Sequence, residues 1–280
     1  MRHGVVLFSS DRGITPAQAA QAAEAAGLDC FYVPEHTHIP VRRDAAHPRT
    51  GTAELPDDRY PRTLDPWVAL SMAAAVTSTI RLGTAVALPA EHDPIALAKT
   101  IASLDHLSGG RVELGVGFGW NTDELADHGV PPGKRRAVLA EYLGAMRALW
   151  SQDEASYHGE FVSFEASWAW PKPVQQPRVP VLAGAAGTSK TFGWIARHAD
   201  GWLTTPGETG LGDKITLLHQ AWREAGRDGQ PRVTALAGRP DPELLAHWAE
   251  IGVTDVAFGL PDRSPDEVTG YRGRRASRLR

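Results

Sequence analysis

Short apolar runs alternate with longer segments of helical periodicity along most of the chain. The apolar positions inside each short run are mostly continuous, which is typical of strands buried on both faces of a parallel sheet. These predicted strands cover residues 4–8, 29–33, 81–88, 111–117, 179–184, 200–205, 232–238 and 254–260. Several helical segments open on a capping residue followed by proline, such as Thr15-Pro16 and Asp65-Pro66, and end at glycine.

Eight strand–helix units in a row predict an α/β fold of the TIM (β/α)8 barrel type. A doubly wound open sheet is the competing fold, and the number of units favours the barrel. Two insertions interrupt the alternation: residues 36–63 after the second strand, and residues 155–178 before the fifth. The second insertion reads as a hairpin around His158-Gly159 followed by a proline-rich return. A single domain over 1–280 accounts for the pattern.

Composition and charge exclude several classes of protein. The net charge of -4 gives no bulk attraction to nucleic acid or to a membrane surface. Cys30 is the only cysteine, so no intrachain disulfide can form. There is neither a secretory signal pattern nor an apolar run of roughly 18–20 residues. We therefore predict a soluble cytoplasmic protein, with residues 271–280 as a solvated or disordered basic tail.

Glycines are concentrated in the stretch "SLDHLSGGRVELGVGFGWNTDEL" (103–125). Gly109 and Gly110 end a predicted helix, and Gly115 lies within the next strand, where it serves packing. Gly117 and Gly119 come where that strand leaves the sheet. Because active sites of TIM barrels lie at the carboxyl ends of the strands, these two glycines predict a place where a ligand lies against the backbone.

A second candidate site is "LAGAAGTSKTFGW" (182–194), in which a strand ends at Gly184 and Thr188 or Ser189 caps a helix. Free backbone N–H groups at a helix N-terminus attract an anion such as phosphate. An ordinary turn with a helix cap explains the same residues without a ligand. The pattern alone leaves both interpretations open.

Two other kinds of site have less support. The run "GVGFGW" has Trp120 at the position where a dinucleotide-binding G-x-G-x-x-G motif requires its third glycine. His36 and His38 in "EHTH" suggest a metal pair, but the later strand ends offer no further ligands, so we predict no metal. His36, first after its strand, is the better candidate for a functional role, whereas His38 fits an exposed loop.

Several motifs together resemble the luciferase-like monooxygenase superfamily, and within it the actinobacterial and mycobacterial branch that uses the deazaflavin coenzyme F420. They are "VPEHTHIP", "RLGTAVAL", "DPIALAKTIASLDHLSGGRVELGVGFGWN", "WPKPVQQPRVPVLAG" and "ADGW". The resemblance runs from residue 3 to about 260 and is most specific over 94–121.

The resemblance implies that the cofactor ring lies across the barrel mouth, against a bulge of the third strand with a non-prolyl cis peptide at Ala85-Val86. It implies that the phosphate lies between residues 117–123 and 184–188. The implied cofactor-binding residues are His36, Ala85, Val86, Gly117, Phe118, Gly119, Trp120, Asp123, Gly184, Ala185, Ala186, Gly187 and Thr188.

The resemblance also implies His36 as the residue that handles a proton, with Glu35 beside it, while a hydride moves to or from the deazaflavin. Phe8, Ser9 and Trp120, with Trp168 or Trp170 as further candidates, predict a pocket for a small apolar or aromatic substrate. Some F420 enzymes that oxidise sugar phosphates carry a carboxylate at the position of Trp120, which speaks against that substrate class. An FMN-dependent monooxygenase and a non-catalytic F420-binding protein are the alternatives.

Two expectations concern contacts beyond the mouth. Family members commonly form dimers through the helices at 65–78 and 94–107, whose small residues permit close packing, so a homodimer is predicted. The arginines of the 36–63 insertion, Arg42 and Arg43 among them, are candidates to attract the polyglutamate tail of F420. The same arginines can instead pair with acidic residues of the insertion.

Overall fold

Eight parallel strands close into a barrel in the computed structural model, which describes residues 1–237, 241–261 and 263. The strands in chain order are β1 (Arg2–Leu7), β2 (Cys30–Val33), β3 (Arg81–Thr84), β4 (Val112–Gly117), β5 (Ala155–His158), β6 (Ser163–Ser167), β7 (Val181–Gly184), β8 (Gly201–Leu203), β9 (Arg232–Ala237) and β10 (Asp255–Leu260). The barrel runs β1-β2-β3-β4-β7-β8-β9-β10 and returns to β1, while β5 and β6 form a separate antiparallel pair. The predicted TIM barrel is confirmed, and the open sheet is wrong.

The helices pack around the barrel and follow the predicted segments closely. They are α1 (Pro16–Ala25), α2 (Pro66–Val76), α3 (Pro94–Leu107), α4 (Thr122–Asp127), α5 (Arg135–Ser151), α6 (Ser189–His198), α7 (Leu211–Glu224) and α8 (Pro242–Glu250). The predicted caps form: Thr15 accepts a hydrogen bond from Gln18 N, and Asp65 accepts one from Val68 N. Since the caps satisfy otherwise unpaired N–H groups, they fix where each helix begins.

The third strand is shorter than the sequence suggested. β3 ends at Thr84, and the chain then bends away from the ladder through a cis peptide between Ala85 and Val86. It returns at Ala87, which bridges to Val116 of β4. The cis peptide implied by the resemblance is therefore present, inside a run whose apolar character alone indicated a continuous strand.

Glycines on the neighbouring strands make room for this bend. A Cβ atom on Gly115 would lie 2.0 Å from the Thr84 carbonyl oxygen. A Cβ on Gly117 would lie 2.5 Å from Val86 Cγ2, and one on Gly184 would lie 2.4 Å from Val86 Cγ1. Gly117 and Gly184 are partners across β4 and β7, so the Val86 side chain occupies space that both glycines leave open. This contact supplies a structural reason for the two glycines that the sequence did not predict.

A charged network lies inside the barrel at the amino-terminal ends of the strands. Glu113 is fully buried and lies 3.0 Å from Arg232 Nη2, 3.1 Å from Arg2 Nη1 and 2.7 Å from the Tyr32 hydroxyl. Arg81 also pairs with it. Burial alone would raise the pKa of Glu113, but the surrounding guanidinium groups lower it to about 2. This end of the barrel is closed by paired charges.

The insertion at 155–178 lies on the outside of the barrel. Its hairpin has the predicted turn after His158, and the return segment contains cis peptides before Pro171 and Pro177. Trp168 hydrogen-bonds Glu154, and the Trp170 carbonyl accepts from Lys99 in the middle of α3. Both tryptophans are therefore outside the barrel mouth, so neither lines the predicted substrate pocket.

Two further predictions concern membrane insertion and the basic tail. No helix in the part of the chain that the structure describes is long and apolar enough to cross a bilayer. The predicted basic tail at 271–280 lies outside the described residues.

Candidate active site at the barrel mouth

His36 lies three residues after the end of β2 and is held by a buried carboxylate of α4, the helix that follows β4. Its Nδ1 is 2.8 Å from Glu124 Oε2, and its side chain is only 7% exposed. Glu124 is fully buried, and its other oxygen accepts a hydrogen bond of 2.9 Å from Thr37 N. An ionised carboxylate can only accept, so a neutral His36 beside Glu124 has its proton on Nδ1 and keeps Nε2 as an acceptor.

Glu35 is also buried, but its two oxygens are engaged by the bend after β3. Oε2 accepts a hydrogen bond of 2.6 Å from Leu88 N, and Oε1 lies 2.8 Å from His92 Nε2. The backbone of Glu35 joins the same segment, since its N–H donates to the Val86 carbonyl oxygen at 3.1 Å. Burial lowers the pKa of His92, but the bond and charge of Glu35 outweigh burial and raise it. Glu35 thus fixes the segment 85–88.

A third buried carboxyl group, Glu91, lies beside these two. Burial, together with the charges of Glu124 and Glu35, raises the pKa of Glu91 to about 9. At neutral pH it is therefore a neutral acid beside Glu124. Thr37 Oγ1 is 3.3 Å from Glu91 Oε2 and 2.8 Å from His128 Nε2. A chain of hydrogen-bonding groups therefore leads from buried Glu124 toward the exposed His128.

Aromatic rings from the 36–63 insertion cover the same region. The Trp120 ring is 5.7 Å from His36 and 4.7 Å from His47, both edge-on. Tyr60 hydrogen-bonds His47 at 2.9 Å and packs 4.8 Å from the Phe8 ring. The insertion therefore places the hydrogen-bonded rings of Tyr60 and His47 next to His36 and Trp120.

The insertion is attached to the barrel by polar contacts. Asp123, predicted to bind the cofactor, accepts backbone hydrogen bonds at Oδ2 from Asp44 and Ala45, at 3.1 and 2.9 Å. At the other end Thr63 bridges to Ser10, which follows β1. Asp123 is thus occupied in positioning the insertion.

Most arginines of the insertion have partners inside the protein. Arg59 pairs with Asp57 at 2.7 Å, and Arg62 pairs with Asp11 at 2.9 Å. Arg43 donates to the carbonyl oxygens of Pro40 and Ala53. Arg43, Arg59 and Arg62 are thus engaged within the protein, and contact of the insertion with a cofactor tail stays a prediction.

Some polar groups of the segment 184–188 bond within the protein, whereas others have no partner among the described residues. Ala185 accepts a hydrogen bond of 2.8 Å from the Trp202 indole, and Thr188 caps α6. Gly187 N donates to Glu208, a carboxylate that also binds Lys214 and Thr205. In the described chain the backbone N–H groups of Ala186, Thr188 and Ser189 have no acceptor. A free set of donors therefore remains at the start of α6.

The predicted site residues meet at one end of the barrel. His36, the bend at 85–86, the turn at 117–120 and the segment 184–188 all follow the carboxyl ends of barrel strands. Ser9 also lies there, fully buried, with a hydroxyl oxygen that has no hydrogen-bond partner among the described residues. An orphaned hydroxyl and free N–H donors at this end of the barrel fit a ligand with polar groups, such as a flavin-type cofactor.

The sequence analysis missed Glu124, Glu91 and the aromatic residues of the insertion. Glu124 is three residues after Asn121, at a spacing that puts both on one helix face, and Asn121 Nδ2 does lie 3.3 Å from it. Glu91 follows a predicted strand, which was a usable signal. Nothing local marks Tyr60 or His47, because their position depends on how the insertion folds back.

Comparison with known proteins gives the family. Residues 15–239 match the model of the luciferase-like monooxygenase family, and the chain belongs to that family. An uncharacterised protein of Mycobacterium tuberculosis is 67% identical over 279 residues, covering 100% of this chain and 99% of that protein. The F420-dependent glucose-6-phosphate dehydrogenase of Kineococcus radiotolerans is 31% identical over 252 residues, covering 85% of this chain and 69% of its own.

Solved structures agree on the fold. An F420-dependent secondary alcohol dehydrogenase, solved with an F420–acetone adduct, superposes with a TM-score of 0.75 over 100% of both chains at 18% identity. The oxygenating constituent of 3,6-diketocamphane monooxygenase from Pseudomonas putida, solved with FMN, gives 0.65 over 90% of this chain and 72% of its own at 15% identity. The same barrel thus occurs with a deazaflavin and with a flavin.

Proposed function

We propose that this protein is an F420-dependent oxidoreductase that transfers a hydride between the deazaflavin and a small apolar or aromatic substrate. The observation that carries the proposal is the buried His36–Glu124 pair beside the bend at Ala85-Val86. The F420-dependent relative in Kineococcus radiotolerans supports the choice of cofactor.

Different residues at the mouth would hold different parts of such a cofactor. The bend at 85–86 would support one face of the ring, and Glu35 keeps the bend in place through Leu88 N and His92. Free N–H groups at the start of α6 would hold the phosphate. When bound, F420 supplies a ring carbon that accepts or donates hydride.

His36 would handle the proton that accompanies the hydride. Glu124 fixes its tautomer, so Nε2 is the nitrogen that accepts a proton from a substrate hydroxyl or returns one. Trp120 and the insertion limit water at this nitrogen and favour an apolar substrate. We assign Glu35 to positioning, because both of its oxygens are already engaged.

The cofactor choice is tested by titrating the purified protein with F420 and with FMN while following fluorescence. We expect F420 to bind and FMN to bind far more weakly. Tight binding of FMN with none of F420 would instead favour the flavin-dependent monooxygenase.

Catalysis is tested by screening oxidised and reduced F420 against a panel of alcohols, enones, imines and quinones. His36→Asn should still bind F420, and at saturating cofactor it should turn over the best substrate about 100-fold more slowly, since a general acid–base group contributes on that scale. If no compound changes the redox state of the bound cofactor, the non-catalytic F420-binding alternative gains.

A further inference from the structure

A basic groove runs down the outside of the barrel between α5 and α6. Its volume is about 230 Å³, and none of its lining residues is acidic. They are Arg136, Ala137, Ala140, Lys190, Trp194, Arg197 and His198. The sequence analysis did not identify this surface, because its charges come from two separate helices.

The end of the groove at the first turns of α5 and α6 lies beside the predicted cofactor site. The Arg136 guanidinium lies 4.1 Å from the centre of the Phe118 ring and 3.4 Å from Thr191 Oγ1, in the first turn of α6. Its Nη1 is buried and has no hydrogen-bond partner among the described residues. A buried guanidinium nitrogen without an acceptor is costly, so this end of the groove is short of an anion.

The positive charges continue away from the mouth. Lys190 and Arg197 are exposed and lie seven positions apart on α6, which corresponds to about 10 Å along the helix. Trp194 and the two alanines line the groove between them. An extended chain with several carboxylates matches this spacing of cations better than a single small anion does.

We propose that the groove binds the oligoglutamate tail of F420, as that tail leaves the mouth beside Phe118. This proposal rests on the proposed use of F420. It places the tail between α5 and α6, away from the 36–63 insertion, whose Arg59 and Arg62 are already paired with aspartates.

The experiment compares the affinities of long-tailed F420 and of a form of F420 that keeps the phosphate but carries no glutamate, measured by fluorescence titration. The test variant is Lys190→Ala/Arg197→Ala. The control is Arg223→Ala, which removes an exposed charge from the neighbouring α7. We expect the double variant to bind long-tailed F420 about 3–10-fold more weakly, as exposed ion pairs allow, with the glutamate-free form still bound as by the wild type and the control variant unaffected. The wild-type preference for the long tail should shrink as salt rises.

Three results would overturn the proposal. Equal wild-type affinity for both ligands would show that the tail makes no contact. Equal losses of both in the double variant would assign Lys190 and Arg197 to the ring site or to folding, which thermal melting then separates. If neither ligand binds, the proposed F420 dependence itself fails, and the tail site with it.

Discussion

Glu124 is the residue on which the polar contacts of the mouth converge. Its carboxylate hydrogen-bonds His36 and Thr37, which follow β2, and Asn121, which precedes α4. The neutral acid Glu91 lies beside it. Its burial makes each of these contacts costly to lose. The consequences can be measured on the protein without any substrate.

Glu124→Ala removes the acceptor for His36 Nδ1 and Thr37 N, and each buried donor left unpaired costs about 1–3 kcal/mol. We expect a clear loss in the free energy of unfolding by urea, and a smaller loss for Glu124→Gln, which keeps one acceptor oxygen. Asp127→Ala is the control on the same helix, because Asp127 is exposed and bonds only His38 in the described chain. Equal losses for Glu124→Ala and Asp127→Ala would contradict this view.

Glu91 predicts a pH dependence of stability with a definite sign. Its pKa is raised to about 9 in the folded protein, so the folded state keeps a proton that the unfolded chain releases near 4.5. Its contribution is complete below the unfolded value and is lost as the pH rises through about 9. The free energy of unfolding should therefore fall over this range, and less steeply in Glu91→Gln. Glu154→Gln, on the surface, should keep the wild-type slope; identical slopes in all three proteins would refute the assignment.

For single residues, the sequence predicted where a functional side chain lies better than it predicted which residue that side chain bonds. His36 and Trp120 follow predicted strands, and TIM barrels gather such residues at one end. The partner of His36, by contrast, comes from a helix 88 positions further along the chain. The resemblance assigned Asp123 to the cofactor, which stays a prediction, but nothing in the sequence indicated that this carboxylate also holds the insertion.

At the scale of elements, the bend after β3 is tied to two neighbouring strands through Val86. Gly184→Ala would bring a methyl group within 2.4 Å of Val86 Cγ1, and overpacking of this kind costs about 1–3 kcal/mol. In a Val86→Ala background the same change should cost much less, because both Cγ atoms are gone.

A double-mutant cycle in urea measures this coupling, for which we expect about 1 kcal/mol or more. Gly193→Ala, at a helical position with open space around it, should be neutral or slightly stabilising. Additive effects at Gly184 and Val86 would show that the two residues do not share the space.

The charged network at the amino-terminal end of the barrel should matter as much as the apolar core. Glu113→Gln leaves several partly buried guanidinium groups without their carboxylate, and we expect a loss of about 3–5 kcal/mol at pH 7. Since the folded pKa is lowered to about 2, the stabilisation is present above about 4.5 and is lost as the pH falls toward 2. The difference between wild type and variant should therefore shrink in acid.

Urea unfolding at a series of pH values checks this, with Glu160→Gln as the control. Glu160 pairs with Lys134 on the surface, so its loss should be below about 1 kcal/mol. A difference between wild type and Glu113→Gln that stays constant from pH 7 to pH 3 would argue against the network.

Element boundaries were predictable where local chemistry sets them. The caps at Thr15 and Asp65 placed their helices within one or two residues. β3 was extended too far, because Ala85, Val86 and Ala87 are as apolar as strand residues although the backbone turns there. The bend depends on Glu35 after β2 and on glycines of β4 and β7, so the sequence of residues 85–87 alone does not indicate it.

For the whole molecule, the number of strand–helix units was enough to predict the barrel, since eight parallel strands close naturally into one. The insertions were also predictable as breaks in the alternation. What the insertion at 36–63 covers was not, because its path depends on anchors far away in sequence.

The homodimer remains a prediction, with a more specific surface than the sequence suggested. Ala69, Ala73, Ala98 and Ala102 are buried in the packing of the barrel itself. The outer face of α2 instead exposes Val68, Met72 and Val76, at 62%, 50% and 38%, spaced four residues apart. A stripe of this kind is typical of a helix that packs against another surface.

We expect the wild type to sediment as a dimer and Val68→Glu/Met72→Glu to sediment as a monomer at micromolar concentration. Leu217→Glu, an equally drastic change on exposed α7, should leave the dimer intact. A monomeric wild type would remove the prediction, and a dimeric double variant would move the interface elsewhere.

The way in which the 36–63 insertion is attached has a consequence for how such a protein diversifies. Its anchors, Thr63 on Ser10 and residues 44 and 45 on Asp123, lie on the barrel, while residues 49–54 between them are exposed. Mutations in that span can accumulate without altering a strand or the segment 184–188. The exposed stretch of the insertion can thus change in sequence over evolutionary time while the residues at the mouth are inherited unchanged.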